Sequence, residues 1–447
     1  AYIMINKQDL INYFSEGIKK DNTLRIGTEH EKFIFKQNDL SLIPYDGDVS
    51  IQAIFQDFVK EGWKEVKEGN NTIALTKNNA SITLEPGGQF ELSGAPLKSV
   101  HETCSEINSH LDLTKKLEKK YNIGFLGIGF LPIGTLEEIP MVPKKRYAEI
   151  MTPYMSSLGG LGLEMMYQSA TVQANFDFTS EEDMGKKINV SSVLQPLVTG
   201  LFANSPFKNN QPSGFESYRG HVWTRTDADR TGIPKFLTEP NMSFEKYVDF
   251  ALDIPVYALI RDGNYIRCTD YSFADLIEGK HNEFSKDQIT IKDWADHIST
   301  IFTEVRLKTF IEMRGADAGG YNTLCALPAF WTGILYDETA LEEALSITSQ
   351  LDYADLMNFR ENVLEHGLNS TINNIEGWDL AEQIVKISSE GLNRRGKLNL
   401  YGDSEAVHLD FLKDIIKNKE SNSMRMIKNY YAQDTLNQKE LFQKESF

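Results

Sequence analysis

The chain has 447 residues, 41% hydrophobic and 25% charged, which is the profile of a globular protein with material for a large core and two or three domains. A formal net charge of −18 argues against nucleic acid or an anionic membrane as partner, but not against a nucleotide held with metal in a local cationic pocket. Three cysteines, Cys104, Cys268 and Cys325, are too few and too dispersed for a disulfide framework or a zinc cluster, and fit a reducing compartment.

The N-terminal stretch lacks the basic-then-apolar layout of a signal peptide, and no long uncharged apolar run follows, so a cytoplasmic protein is expected. Leu10, Ile11, Phe14 and Ile18 recur at helical spacing and predict a helix over 6–20. The next stretch, RIGTEHEKFIF at 25–35, reads as a strand with Glu29 and Glu31 on one face and His30 on the other. Two carboxylates ~4 Å apart at an effective dielectric near ~20 repel by about 4 kcal/mol, so water or a cation between them is required.

A helix is predicted over 49–62, then strands over 72–76 and 80–94, the second broken at Pro86-Gly87-Gly88. Ser99 and Glu102 form a capping-box signal for a helix to 120, whose apolar face turns Cys104 toward the core. A strand over 123–130 precedes a proline- and glycine-rich segment, 140–162, read as loop and turn with a short helix at most. Then come a strand over 171–178, a helix over 180–203, a polar loop over 209–236, a helix over 244–252, a strand over 256–261, a helix over 290–302 and a strand over 307–314. From 336 onward amphipathic helices dominate. The expected architecture is α+β: a catalytic body over 1–335 with a helical C-terminal portion, 336–447, packed on it or continuous with it.

Three further strands share the acidic or amide face of the first. Glu85 and Glu91 have one parity, Gln173, Asn175 and Asp177 another, and Glu312 with Arg314 a third. A solvated sheet face explains any one of them. All four together point instead to carboxylates gathered around divalent ions, and hard oxygen donors select magnesium or manganese over zinc. Arg314, two residues from Glu312, suits a transferring phosphoryl group. The loop YRGHVWTRTDADRTGIP adds Arg219, His221, Arg225 and Arg230, suited to phosphate or substrate carboxylates, or else a solvated loop. No G-x-x-x-x-G-K-[ST] occurs, which excludes a P-loop kinase.

RIGTEHEKF, LEPGGQFELSGAP, TVQANFDF, DADRTGIP and EVRLKTFIEMRGADAG, with HETCSEINSHL, LFANSPF, YVDFALDIPVY and LCALPAFW, resemble the plant-type glutamate–cysteine ligases. That family also has bacterial members, and the chain is expected to be one. The resemblance runs over 24–336 and more faintly beyond. It implies a glutamine-synthetase-like fold with an antiparallel sheet as an open bowl. It also implies ATP- and magnesium-dependent joining of the γ-carboxylate of L-glutamate to the amine of L-cysteine through a γ-glutamyl phosphate, the first step of glutathione biosynthesis. A same-fold ligase with another amine acceptor is the alternative.

By motif, the resemblance makes Glu29, Glu31, Glu85, Glu91 and Glu312 metal ligands, with Glu312 and Arg314 at the chemistry. Gln173 stands where a more distant bacterial group carries a metal-binding histidine. Arg146, Arg219 and Tyr257 match glutamate-holding positions, and Asn175 and Arg230 are expected beside them. Cys104 and Cys325 match a pair that forms a regulatory disulfide in plant enzymes, whereas Cys268 has no second cysteine near His281. Reduced, buried thiols are the expectation for the first pair. The expected partners are small molecules alone, with the chain a monomer or homodimer.

Overall fold

Alternating polar and apolar residues build the sheet, and capped amphipathic helices cover its apolar side. The computed structural model describes residues 4–433 and 435–447, so the first three residues of the stretch read for a leader lie outside it. In chain order the elements that position the site are α1 (Lys7–Ser15), β1 (Ile26–Lys36), α2 (Ile51–Lys60), β2 (Lys64–Glu68), β3 (Asn71–Lys77), β4 (Ala80–Leu84) and β5 (Phe90–Ser93). They continue as α3 (Val100–Tyr121), β6 (Ile123–Leu126), β7 (Thr171–Phe176), α4 (Glu181–Leu201), β8 (Val305–Leu307), β9 (Ile311–Asp317), α5 (Tyr321–Leu335) and α6 (Gly377–Arg395). Asn6, Ser50, Ser99 and Ser180 each cap a helix by accepting an N–H of its first turn.

The nine strands form one antiparallel sheet in the order β8-β9-β7-β1-β5-β4-β3-β2, with β6 on the far half of β1. Val172, Ala174 and Phe176 of β7 and Ile311 and Met313 of β9 point to the covered face. There they join α3, α4 and α5 in a single apolar cluster that also takes in Leu380, Ile384 and Leu392 of α6. Gly333 of α5 and Gly391 of α6 let these helices touch backbone to backbone. A Cβ on Gly391 would lie 2.2 Å from the Gly333 carbonyl oxygen.

Several expectations change. The first helix stops at Ser15, because Gly17 lies against Thr309, where a Cβ would stand 2.1 Å from the carbonyl oxygen. The segment 140–162 is largely helical rather than loop. A π-helical turn, Arg146–Met151, runs into Thr152–Leu158, and Pro153 falls at the junction where the hydrogen-bond pattern changes from π to α. The strand read over 307–314 is a hairpin, β8 and β9, because the chain reverses at 308–310. The charged edge strand β2 went unread, since its KEVKE pattern has no buried residue to mark a period. The polar loop over 209–236 contains a helical turn, Tyr218–Trp223, packed inward through Tyr218, Arg219 and Val222.

Candidate active site

The uncovered face of the sheet carries three rows of polar side chains. In the first, Ser93, Glu29 and Gln173 are cross-strand partners, and Arg314 Nη1 donates to Gln173 Oε1 at 3.0 Å. In the second, Glu91 lies opposite Glu31, whose Oε2 accepts from the Thr171 N–H at 3.4 Å. In the third, Asn175 is flanked by Gly27 and Glu312, and Glu312 faces Arg306 across the hairpin. Glu85 enters from the turn between β4 and β5. That turn is fixed by Gln89, which accepts from the Gly87 N–H and donates to the carbonyls of Met166 and Ser169. Gly88 needs its φ of +81°, and a Cβ on Gly87 would meet the Tyr167 carbonyl oxygen at 2.2 Å, so the Pro-Gly-Gly sequence is what lets Glu85 turn inward.

Glu29, Glu31, Glu85, Glu91, Gln173 and Arg314 surround a cavity of about 230 Å³, closed on its other sides by Arg146, Tyr147, Met151, Trp223, Phe302 and Lys308. A smaller recess, lined by Thr171, Gln173, Arg219 and Arg314, adjoins it.

Charge divides the cavity in two. On one side Glu31, Glu85 and Glu91 offer ligand oxygens all within 4.8 Å of one another. Burial and then Glu85 push the Glu31 and Glu91 carboxyls well above the ordinary range, because each charge meets its neighbours in a poorly solvated place. Glu29 beside them is raised by burial and by Glu312, and its buried Oε2 has no hydrogen-bond partner. On the other side Arg306 Nε reaches Glu312 at 2.5 Å, with Lys308 and Arg314 each at 3.6 Å. Burial would raise Glu312, but these three cations outweigh it and hold the carboxyl at about 2. Burial, with Arg306 close by, lowers Arg314 to about 10, still cationic at neutral pH.

An all-oxygen, mutually repelling triad next to an orphaned carboxylate oxygen fits a hard divalent cation. A cluster of guanidinium and ammonium groups across the same cavity fits an oxyanion. Together they can bring a metal–polyphosphate and a carboxylate substrate into one space.

The residues singled out from sequence are distributed as follows. Glu29, Glu31, Glu85, Glu91, Gln173, Arg146 and Arg314 line the cavity. Glu312 is 1% exposed and sits beneath the cations it pairs with. Arg219 lines the recess, its Nε bonded to Asp317 at 2.8 Å. Asp317 also accepts from the Ser205 and Ser217 hydroxyls and the Asn204 N–H, so a fully satisfied buried carboxylate fixes this arginine.

Asn175 is in the third row, with its buried Oδ1 unpartnered. Tyr257 is one layer back, its ring edge-on to Tyr154 and tilted against Phe302. Arg230 does not reach the cavity: its guanidinium is spent on Asp227, Thr300 and the Pro255 carbonyl and lies 3.9 Å over the Tyr257 ring. Asp177 falls beyond the end of β7 and accepts from the Arg25 N–H instead. Arg306 and Lys308 escaped sequence reading. Their signal, alternate positions facing Glu312, is visible only once the hairpin register is known. Cys104 and Cys325, dispersed in sequence, are brought together with His408 on the covered side of the sheet, away from this cavity.

The family profile described as Glutamate-cysteine ligase family 2 (GCS2) matches residues 25–438. The chain is 44% identical over 429 residues to the chloroplastic glutamate–cysteine ligase of Medicago truncatula, covering 96% of this chain and 82% of the relative. It is 47% identical over 393 residues to the chloroplastic glutamate–cysteine ligase A of Oryza sativa subsp. indica, covering 88% and 79%. Among solved structures it resembles the glutamate–cysteine ligase of Francisella tularensis in complex with AMP, with a TM-score of 0.53 at 12% identity over 96% of this chain and 89% of that one, a likeness of fold.

Proposed function

The chain belongs to the glutamate–cysteine ligase family, and from that premise we propose how its cavity joins L-glutamate to L-cysteine. It is an ATP-dependent carboxylate–amine ligase of the first step of glutathione biosynthesis. The observation that carries the mechanistic reading is the division of one cavity into an acidic triad and a cationic wall. Glu31, Glu85 and Glu91, with Glu29 beside them, would hold magnesium, or manganese in its place. A bound divalent ion supplies neutralisation of the polyphosphate charge and polarises the transferring phosphoryl group.

Arg146 in the cavity wall and Arg219 in the recess are proposed to take the carboxylates of glutamate. Support comes from Arg219 being held by Asp317 in the recess and from Arg146 lining the adjoining cavity. The glutamate γ-carboxylate attacks the γ-phosphorus in line and ADP leaves. Arg314, backed by Lys308, stabilises the charge on the phosphoryl oxygens as they pass between the two, a contribution worth on the order of several kcal/mol for an arginine in phosphoryl transfer. Glu312 positions this cationic wall by pairing with Arg306, Lys308 and Arg314. The free amine of cysteine then attacks the acyl carbon of the γ-glutamyl phosphate; the C–N bond forms as the C–O bond to phosphate breaks, inorganic phosphate departs, and the amine gives up one proton to solvent. Trp223, Tyr147 and Phe302 give the cavity apolar walls that limit water and so protect the acyl phosphate from hydrolysis.

We assign the sheet to the glutamine-synthetase-like bowl, with its polar face as the concave side. Nothing in the site calls for a second chain, so either a monomer or a homodimer satisfies it. Three free thiols suit the reducing cytoplasm of a bacterium, while any aqueous compartment accommodates a protein in which no helix among the described residues is long and apolar enough to cross a membrane.

The test is phosphate release from ATP. It should require glutamate, cysteine and a divalent ion together. Release with glutamate and another amine but not cysteine would move the reading to the alternative acceptor, and no nucleotide turnover at all would overturn it.

A further inference from the structure

On the covered side of the sheet, three elements far apart in sequence meet. Cys104 comes from α3, Cys325 from α5, and His408 from a 3-10 turn, Glu405–Leu409. One ligand atom of each lies within 4.8 Å of the other two, and Cys104 Sγ is 3.6 Å from His408 Nδ1. Tetrahedral zinc, with bonds of about 2.3 Å to sulfur and about 2.0 Å to nitrogen, sets ligand-to-ligand edges of roughly 3.5–3.8 Å. The three atoms are therefore close to coordinating separation already.

The histidine tautomer is fixed by its neighbours. His101 Nε2 faces two backbone carbonyl oxygens, of Lys397 at 3.2 Å and Asp403 at 3.1 Å, which can only accept. The proton of a neutral His101 is thus on Nε2, and its Nδ1 is an acceptor. His408 Nε2 lies 2.9 Å from that Nδ1, so it must be the donor, and the lone pair of His408 Nδ1 is left aimed at Cys104 Sγ. An imidazole oriented through its other nitrogen is the arrangement that metal-binding histidines use. Tyr321, 39% exposed, directs its hydroxyl toward Cys325, and a water would complete a tetrahedron around an ion held by the three protein ligands.

We propose that Cys104, Cys325 and His408 form a binding site for a thiophilic d10 cation, Zn²⁺ in the first instance, distinct from the carboxylate bowl. The ligand set of two sulfurs and one nitrogen is soft, whereas the bowl offers only hard oxygens. On binding, two metal–sulfur bonds and one metal–nitrogen bond form, and the two thiol protons leave to solvent. No oxidant is consumed, in contrast to closure of the same cysteines into a disulfide. The groups facing the site are Tyr321, His101, Asp410 and Glu405, the last held by Arg395 at 2.8 Å. The bound ion would fasten α3 and α5 to the 405–409 turn. The sequence reading excluded a zinc cluster on spacing, and it misses this one because each ligand is supplied by a different element.

The experiment is titration of the reduced, metal-free full chain with Co²⁺ in millimolar Mg²⁺, which fills the oxygen sites. One equivalent should give a near-ultraviolet sulfur-to-cobalt charge-transfer band and intense tetrahedral d–d bands, both removed by Zn²⁺. His101→Gln should weaken Co²⁺ binding about 10- to 100-fold by freeing the tautomer. His408→Gln, which leaves both thiols in place, should weaken it at least as much. A weak spectrum without charge transfer, or thiolate bands that persist in a folded C104S/C325S chain, would overturn the proposal. So would reduced protein that closes its disulfide on oxidation yet never develops the bands.

Discussion

Glu31, Glu85 and Glu91 crowd three carboxylates within 4.8 Å, with the Thr171 N–H donating to Glu31 and the Ser93 hydroxyl to Glu91. Such a site weakens the ion-free fold in order to bind an ion. Glu91→Gln should therefore stabilise the chelator-treated protein by about 1–2 kcal/mol, a rise of roughly 1–2 °C in Tm for a chain of this length, while abolishing turnover. Thermal melts in chelator and in magnesium check both halves, and a lower Tm in chelator would mean that the Ser93 hydrogen bond outweighs the repulsion. For Arg314→Lys the expected change lies in catalysis. The planar fork that spans Gln173 and faces the cavity is lost while the charge stays, so kcat should fall by tenfold or more with the KM for ATP little changed. Steady-state kinetics decide it, and a rise in KM alone would make Arg314 a binding residue. At this scale the acidic wall was legible because strand parity is a local property, which put Glu29 with Glu31 and Glu312 with Arg314 on shared faces. The cations were less so. Arg306 needs the hairpin register to meet Glu312, and Arg230, which looks like a substrate arginine in sequence, is consumed by Asp227 and Tyr257.

Between elements, Glu216 joins the catalytic body to the C-terminal helices. It is 5% exposed, its Oε1 accepts from the Ser421 hydroxyl at 2.7 Å, and its backbone carbonyl accepts from the Ser423 hydroxyl. Burial raises its carboxyl to about 7, opposed only by that one hydroxyl. In the unfolded chain the same group titrates near ~4.3. Below that value both states are protonated. Between it and 7 only the folded state keeps the proton, so stability falls as pH rises, and above 7 the penalty, on the order of 3 kcal/mol, is complete. Glu216→Gln keeps an acceptor for Ser421 and removes the titration. It should match the wild type near pH 5, exceed it near pH 8, and flatten the decline between, as read by denaturant unfolding across that range. Equal slopes in both proteins would show that Glu216 is solvated in solution. Sequence offered no hint of this junction, because a glutamate in GFES reads as a surface residue until helices from the far end of the chain cover it. The helical stretch 146–158 was misread for a related reason: Pro140, Pro143 and Pro153 punctuate as a loop would, but Pro153 falls where the helix changes from π to α.

At the scale of the whole chain, the C-terminal helices were legible as helices, yet their attachment was not. Gly333 and Gly391 are unremarkable in sequence, and only their contact shows α5 and α6 sharing one interface inside a cluster that runs from Leu10 to Ile415. The strand order was hidden too, since β1 sits centrally between β7 and β5 through pairings that no local pattern encodes. We propose that 1–335 and 336–447 are one cooperative unit. Separating them would open the α5–α6 contact, where Gly333 meets Ser388 and Gly391 and the Ser388 hydroxyl donates to the Phe330 carbonyl, and would uncover apolar side chains of the shared cluster, whose burial is worth roughly 1.5–3 kcal/mol each for large residues. The C-terminal portion is held through α6 against α5, and α5 packs directly on β7 and through it on the wall of carboxylates, so melting the one uncovers the helix that backs the other. Calorimetry should accordingly give one transition, shifted upward as a whole by magnesium and ATP, with activity lost across that same transition. Two resolved transitions, only one of them responding to nucleotide, would instead place a domain boundary near 336 and make the helical portion an independent unit.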